Sequence, residues 1–264
     1  MSSRIQSQEI QNYWDQCTDL YLRHMTTFQA GLFAVSGSVD PFRENALEIG
    51  RRADIRAGHR VLDLGCGVCG PAIEIAKQDS SISFVSATNC SRQVEVARER
   101  IRYFGLEQQI EVVLLDYHEI DNLSGSFDRC LFLESFGYTL SPIKLLEGVL
   151  RSLEPRGKLY IKDVCHKWNL SVSEAVELEV FNSTYCYNTP LFRDVRANTQ
   201  AAGFGSLVGR IVTSEMYRDH SRKSMFVEPG LTNELTEFGR HHFKGFINLP
   251  IDFFELIACK PAQV

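Results

Sequence analysis

The stretch RVLDLGCGVCGPA, from Arg60 to Ala72, constrains the fold of this chain more than any other. Arg60 to Leu64 reads as a buried strand. Gly65, Gly67 and Gly70 then turn the chain, and Pro71 falls in the first turn of a helix, where its missing N–H has no partner to lose. Glycines let the backbone reverse sharply and come close to a ligand, and the helix N-terminus behind them presents unpaired N–H groups. Such a turn suits a nucleotide-like cofactor. Its G-x-G-x-x-G spacing is also that of dinucleotide-binding folds, so the surroundings must decide which cofactor. No lysine stands in the turn, which excludes a P-loop.

Strand and helix alternate from this point, the pattern of a parallel sheet. Strands are expected at Arg60–Leu64, Ser83–Ala87, Ile110–Leu115, Asp128–Leu133 and Lys158–Asp163. Helices are expected between them at Pro71–Lys77, Ser91–Phe104, which Gly105 stops, and Pro142–Leu153. Helical segments at Ile5–Met25 and Pro41–Ala53 precede the first strand, whereas a dinucleotide fold usually opens with it. After Asp163 the alternation breaks. Ser171–Ser183 and Phe192–Ala202 read as helices, and Phe204–Thr213 and Asp252–Cys259 as strands, with a polar, charged stretch from Glu215 to Leu249.

The chain of 264 residues, 44% of them hydrophobic, is long enough and apolar enough to bury a core. A net charge of −5 argues against a general nucleic-acid binder, which needs a basic surface. No apolar run reaches the length of a membrane span, roughly 18 residues, and MSSRIQSQEIQNYW lacks the apolar core of a signal peptide. A cytoplasmic protein is therefore expected. The eight cysteines are scattered, and Cys66 and Cys69 have neither a second pair nor a nearby histidine to complete a zinc set. They read as small residues in a tight turn, and no metal site is expected from the protein itself.

LDLGCG, with Asp63 two residues before the first glycine, resembles the first motif of class I S-adenosylmethionine-dependent methyltransferases. GCGVCGPA is similar to the sterol and other small-molecule C-methyltransferase branch. NYWDQCTDLYLRHM resembles the aromatic YYD-x-x-TD-x-Y segment preceding the core in that branch. The resemblance implies an α/β, Rossmann-like sheet of seven strands with the last antiparallel. It implies a helical lid over residues 1–57, a cofactor-binding core over 58–165, and a substrate-side helical insertion with the closing strands over 166–264. It also places Tyr13 near the cofactor's amino-acid end and turns Tyr21, His24 and Phe28 toward the substrate.

In open α/β sheets, ligands sit beyond the carboxyl ends of the strands. Asp63 there would orient the turn or meet the methionyl ammonium, and N–H groups around Gly65, Cys66 and Gly67 would take the carboxylate. Strand two ends in Asn89, Ser91, Arg92 and Gln93, similar to that branch. An amide at Asn89 can both donate to and accept from a ribose diol, where the commoner residue is acidic. Asp116 would accept the adenine amine, with Tyr117 and His118 covering the ring.

Glu134, in FLESFGY, follows strand four, where C-methyltransferases of prenyl diphosphates, sterols and tocopherols resemble one another in carrying a carboxylate. Methylating an alkene carbon leaves a carbocation, and a base must remove a proton to restore the alkene. Glu134 would be that base, with Tyr21 beside it. Aromatic faces from Tyr21, Phe28, Phe136, Tyr138, Tyr185 or Tyr187 would add cation–π stabilisation. A basic set including Lys162, His166, Lys167, Arg193, Arg222 and His241 reads either as solvated surface or as a lid that pairs with a phosphorylated substrate. The expected reaction is methyl transfer to a prenyl diphosphate, with Mg²⁺ as a companion if diphosphate binds. Alternatives are an N- or O-methyltransferase of another small molecule and a sterol-type C-methyltransferase. The expected partner is a small-molecule substrate, and a homo-oligomer is left open.

Overall fold

The structure, a computed structural model, describes residues 3–23, 25–29, 31–34, 40–216 and 249–262. Two helices come first, α1 (Ser3–Leu22) and α2 (Pro41–Arg52). The alternating core follows as β1 (Arg60–Leu64), α3 (Gly70–Ala76), β2 (Ser83–Thr88), α4 (Ser91–Tyr103), β3 (Ile110–Leu114), β4 (Phe127–Leu133), α5 (Pro142–Ser152) and β5 (Leu153–His166). Then come α6 (Val172–Tyr185), α7 (Phe192–Ala201), β6 (Gly205–Ile211) and β7 (Ile251–Cys259). Asp40 starts α2 by accepting the Arg43 N–H, with Pro41 at the first helical position. Ser171 and Glu174 form a reciprocal capping box on α6.

The described residues form one seven-stranded sheet in the order β3-β2-β1-β4-β5-β7-β6. β1 to β5 are parallel, and β7 runs antiparallel to both β5 and β6. The last strand is antiparallel as expected, and β7 enters between β5 and the edge strand β6. β5 is also longer than Lys158–Asp163, because its pairing with β7 continues from Lys158↔Cys259 to His166↔Ile251. Leu153, expected to close α5, instead opens β5 opposite Phe127, and the EPRG turn loops out behind it with Arg156 at φ +65°.

Side chains two apart in a strand share a face, so each central strand feeds two cores. Val61, Leu131 and Tyr160 pack on one side with Ile49, Ile73 and Ala97 from α2, α3 and α4. Leu62, Phe132 and Ile161 pack on the other with Leu146 and Val195 from α5 and α7. Burial on both faces explains the near-continuous apolar reading of these strands. Six of the cysteines are buried and all eight are free thiols. The strand order reverses direction between β1 and β4, and a crevice opens there beyond the carboxyl ends.

α1 lies across that crevice. Asp19 pairs with Arg92 at 2.9 Å, Asp15 accepts from the Cys90 thiol at 2.9 Å, and Ser7 donates to Asp116 at 2.5 Å. Residues 25–29 and 31–34 continue as a strap over the glycine turn. Asn45 ties it down, donating to Gln29 at 2.6 Å and accepting from the Phe33 N–H at 3.0 Å.

Candidate active site

Two adjoining cavities occupy the crevice. The larger holds about 960 Å³ and is lined by the ends of β1, β2, β3 and β4 together with α1 and the strap. Asp63, Gly65, Cys66, Gly67, Asn89, Gln93, Asp116, Tyr117 and His118, which the sequence reading assigns to the cofactor, all line it. The smaller holds about 490 Å³ and is lined mainly by rings, including Tyr21, Phe181, Tyr185 and Tyr187. Trp14, Phe28, Glu134 and Tyr138 line both, so Glu134 stands where the two meet.

The glycine turn is built for close approach. Gly65 has φ +77° and Gly67 φ +56°. A Cβ at Gly65 would stand 2.4 Å from Ser135 Cβ, so no side chain fits there. Cys69, also left-handed at φ +59°, delivers the chain into α3. Asp63 lies beneath this turn, 1% exposed, and its Oδ1 has no hydrogen-bond partner among the described residues. Burial pushes its carboxyl up to about 7.

Asp116 contrasts with it. Its Oδ1 accepts from the His118 N–H at 3.0 Å and from His118 Nδ1 at 2.7 Å, and its Oδ2 accepts from Ser7. Burial pushes this carboxyl up, but the His118 and Ser7 hydrogen bonds outweigh it and bring it down to about 2. Tyr117 donates to the Ser135 carbonyl at 3.0 Å. Thr88 donates to the Gln93 side-chain oxygen at 2.6 Å, fixing Gln93 beside Asn89.

These groups fit the co-substrate that the resemblance implies. An unmatched buried carboxyl oxygen, an open N–H turn, an amide and a fully ionised carboxylate would hold ammonium, carboxylate, ribose diol and exocyclic amine. Among the groups the sequence reading missed, Ser7 and Trp14 also line this cavity. Ser7 carries no motif signal. Trp14 stood inside the aromatic segment already singled out.

The ring-lined cavity is tightly organised. Trp14 stacks on Phe28 with centroids 5.4 Å apart and planes at 9°, and Tyr21 meets Phe28 at 5.4 Å. Tyr138 meets Tyr187 edge-on at 4.7 Å. Glu134 has φ +59°, an uncommon conformation for a non-glycine residue. Its N–H donates to the Lys162 carbonyl at 2.7 Å, and its Oε1 accepts from Lys162 Nζ at 2.5 Å and from the Gly31 N–H at 3.0 Å. A second acid, Asp163, lines the cavity floor. It accepts from Tyr187 Oη and from the N–H groups of Val164 and Phe136, at 2.7 and 2.9 Å for the latter two. Burial pushes Asp163 up to about 7 despite those bonds, with the Glu134 charge adding to the rise.

Several expected residues lie elsewhere. Tyr13 is buried behind Trp14, sharing a hydrogen bond of 3.0 Å with Tyr21, and lines neither cavity. One helical position separates it from Trp14, which turns it to the packed side of α1. Phe136 packs into the core on Phe132. Lys162 is no lid residue: it is fully buried in β5 under Glu134. His166 ends β5 against the Lys167 carbonyl, and Arg193 lies 3.3 Å over the exposed Trp168 ring. Neither lines either cavity: His166 ends the long β5, and Arg193 lies on α7. His24, Arg222 and His241 fall outside the described residues.

Known proteins share this architecture. Methyltransferase GfsG of Streptomyces halstedii is 34% identical over 182 residues, covering 66% of this chain. The chain thus spans 64% of that relative's length. The [4+2]-cyclase SpnF superposes with a TM-score of 0.75 at 21% identity, covering 97% of each chain. A geranyl diphosphate methyltransferase in complex with GPP and sinefungin superposes at 0.73 and 13% identity, covering 97% of this chain and 99% of that one. At these identities the two structures share a fold with this chain. Residues 55–206 match the model of the methyltransferase domain, more than half of the chain, which therefore belongs to that family and has its class I, Rossmann-like fold.

Proposed function

We propose that this protein transfers the methyl group of S-adenosylmethionine to an alkene carbon of a small, largely apolar molecule of isoprenoid type. The observation that carries the reading is the junction of a cleft at the strand ends with a ring-lined chamber at a single carboxylate, Glu134. When bound, S-adenosylmethionine supplies an electrophilic methyl group on a sulfonium. The turn at Gly65–Gly67 holds its carboxylate, Asp63 its ammonium, Asn89 and Gln93 its ribose, and Asp116 with His118 its adenine. α1 and the strap act as a lid that excludes water from the chamber.

The chamber suits a neutral substrate that becomes cationic in the reaction. The Glu134 charge is balanced by Lys162, and burial raises the Asp163 carboxyl to about 7. The rings of Trp14, Tyr21, Phe28, Tyr138 and Tyr185 present negative faces to a developing carbocation, worth about 0.5–2 kcal/mol each. Glu134 stabilises that cation and then takes the proton from the carbon beside it, restoring the alkene. Among the described residues no basic side chain lines the chamber. Arg222 and His241, which the sequence reading offers to a diphosphate, fall outside those residues.

The test is methyl transfer from labelled S-adenosylmethionine to a panel of prenyl diphosphates with and without Mg²⁺, their free alcohols, sterols, phenols and amines. Label on carbon of an isoprenoid is the expected result, and the diphosphate and alcohol arms separate a phosphorylated from a plain substrate. Label only on oxygen or nitrogen would overturn carbon methylation and the base role of Glu134, while leaving the cofactor cleft intact.

A further inference from the structure

Central parallel strands bury both faces and are normally apolar throughout. β5 breaks that rule at Lys162, which has no exposed surface. A buried ammonium is costly unless its donors are matched. Its matches here come from two separate parts of the chain. Nζ donates to Glu134 Oε1 at the end of β4 and also to the Gly31 carbonyl in the strap. The Gly31 N–H donates back to the same Oε1 at 3.0 Å. Both backbone polar groups of Gly31 are thus taken by one ion pair.

The fit is tight as well as polar. A Cβ at Gly31 would lie 2.7 Å from the Phe253 ring, so only glycine brings the strap this close to the sheet. The rings of Phe33 and Phe253 flank the ammonium at 5.7 and 6.0 Å. The same strap carries Thr27, Phe28 and Gln29 into the cofactor cleft, and Phe28 into the chamber beside Trp14.

We infer that Lys162 is a positioning residue that clamps the strap to Glu134, so that seating Phe28 over the chamber and aiming the carboxylate are one event. Loss of the ammonium releases Gly31 and lets Glu134 turn away from the reacting carbon. The catalytic consequence rests on the reading of Glu134 given above. The clamp itself does not, and is measured without turnover.

The experiment is amide hydrogen exchange on the ligand-free full chain, comparing wild type with Lys162→Met, alongside kcat and KM. Exchange in the strap around Gly31 and Phe33 should rise by about tenfold or more while β1 and β4 keep their protection, as for local rather than global opening. Turnover should fall in kcat more than in the KM for the methyl acceptor. Should Lys162→Met fold poorly with Glu134 left unpaired, the double variant Lys162→Met/Glu134→Gln removes both charges and carries the same exchange test. Strap exchange unchanged in a folded variant, or raised equally across the whole sheet, overturns the clamp. Faster strap exchange together with normal turnover of Glu134→Gln would keep the clamp and refute the base assignment; unchanged exchange with inactive Glu134→Gln would do the reverse.

Discussion

Asp63 offers the sharpest quantitative test of the cofactor cleft. Its carboxyl is buried, one oxygen is unmatched, and its pKa stands at about 7 against an ordinary 3.8. A carboxyl raised on folding is tolerated while protonated and becomes a burden once ionised. The native state therefore loses stability as pH rises from the unfolded pKa through the folded one. Integrating over that window, the ligand-free protein should lose about 2.5 kcal/mol between pH 5 and pH 8 through this residue alone. Asp63→Asn cannot titrate, so that part of the slope should vanish. Asp163 contributes a similar slope to both proteins and cancels in the comparison. In thermal unfolding, the pH 5 to pH 8 drop in Tm should be smaller in the variant by about 5–10 °C.

Ligand binding should show the opposite side of the same exchange. An ammonium placed against Oδ1 favours the carboxylate, so binding of S-adenosylhomocysteine at pH 6.5 should expel up to about three-quarters of a proton. Calorimetry in two buffers of different ionisation heat reads that number directly. The variant should release almost none and should bind about 10- to 100-fold more weakly, the worth of a hydrogen bond to a charged group. Equal pH slopes in the two proteins, or equal proton release, would refute the assignment of Asp63 to the ammonium.

Three further outcomes are expected. Glu134→Gln should retain S-adenosylhomocysteine affinity and lose about 100-fold or more in methyl transfer, as for removal of a general base; normal turnover in the radiolabel assay would sink that role. Asp116→Ala should weaken cofactor binding by about 1–3 kcal/mol and also loosen α1, since Ser7 loses its acceptor. Unchanged affinity by calorimetry would remove Asp116 from the adenine site. Gly65→Ala puts a methyl 2.4 Å from Ser135 Cβ at φ +77°, and should lower Tm while abolishing detectable cofactor binding. Wild-type affinity in that variant would mean the turn can move aside.

The parts of this protein legible in its sequence are those set by neighbours along the chain. The alternation of strands and helices, the glycine turn and the residues just past each strand are local patterns, and the parallel sheet follows from them. Residues at strand ends converge because parallel strands all finish on one side, which is why Asp63, Asn89, Asp116 and Glu134 line a common crevice. The tertiary structure alone decided what depends on contacts between distant segments. It slotted β7 beside β5, lengthening β5 to His166, and left His166 and Arg193 outside both cavities. It turned Trp14 rather than Tyr13 to the cavities, a choice of helix face that packing makes. And it buried Lys162 beneath Glu134 and Gly31, partners 28 and 131 residues away, changing a lysine that reads as surface charge into the centre of the site. Periodicity along a chain reports which way a side chain points, but not which remote group has desolvated or neutralised it; only the folded contacts carry that.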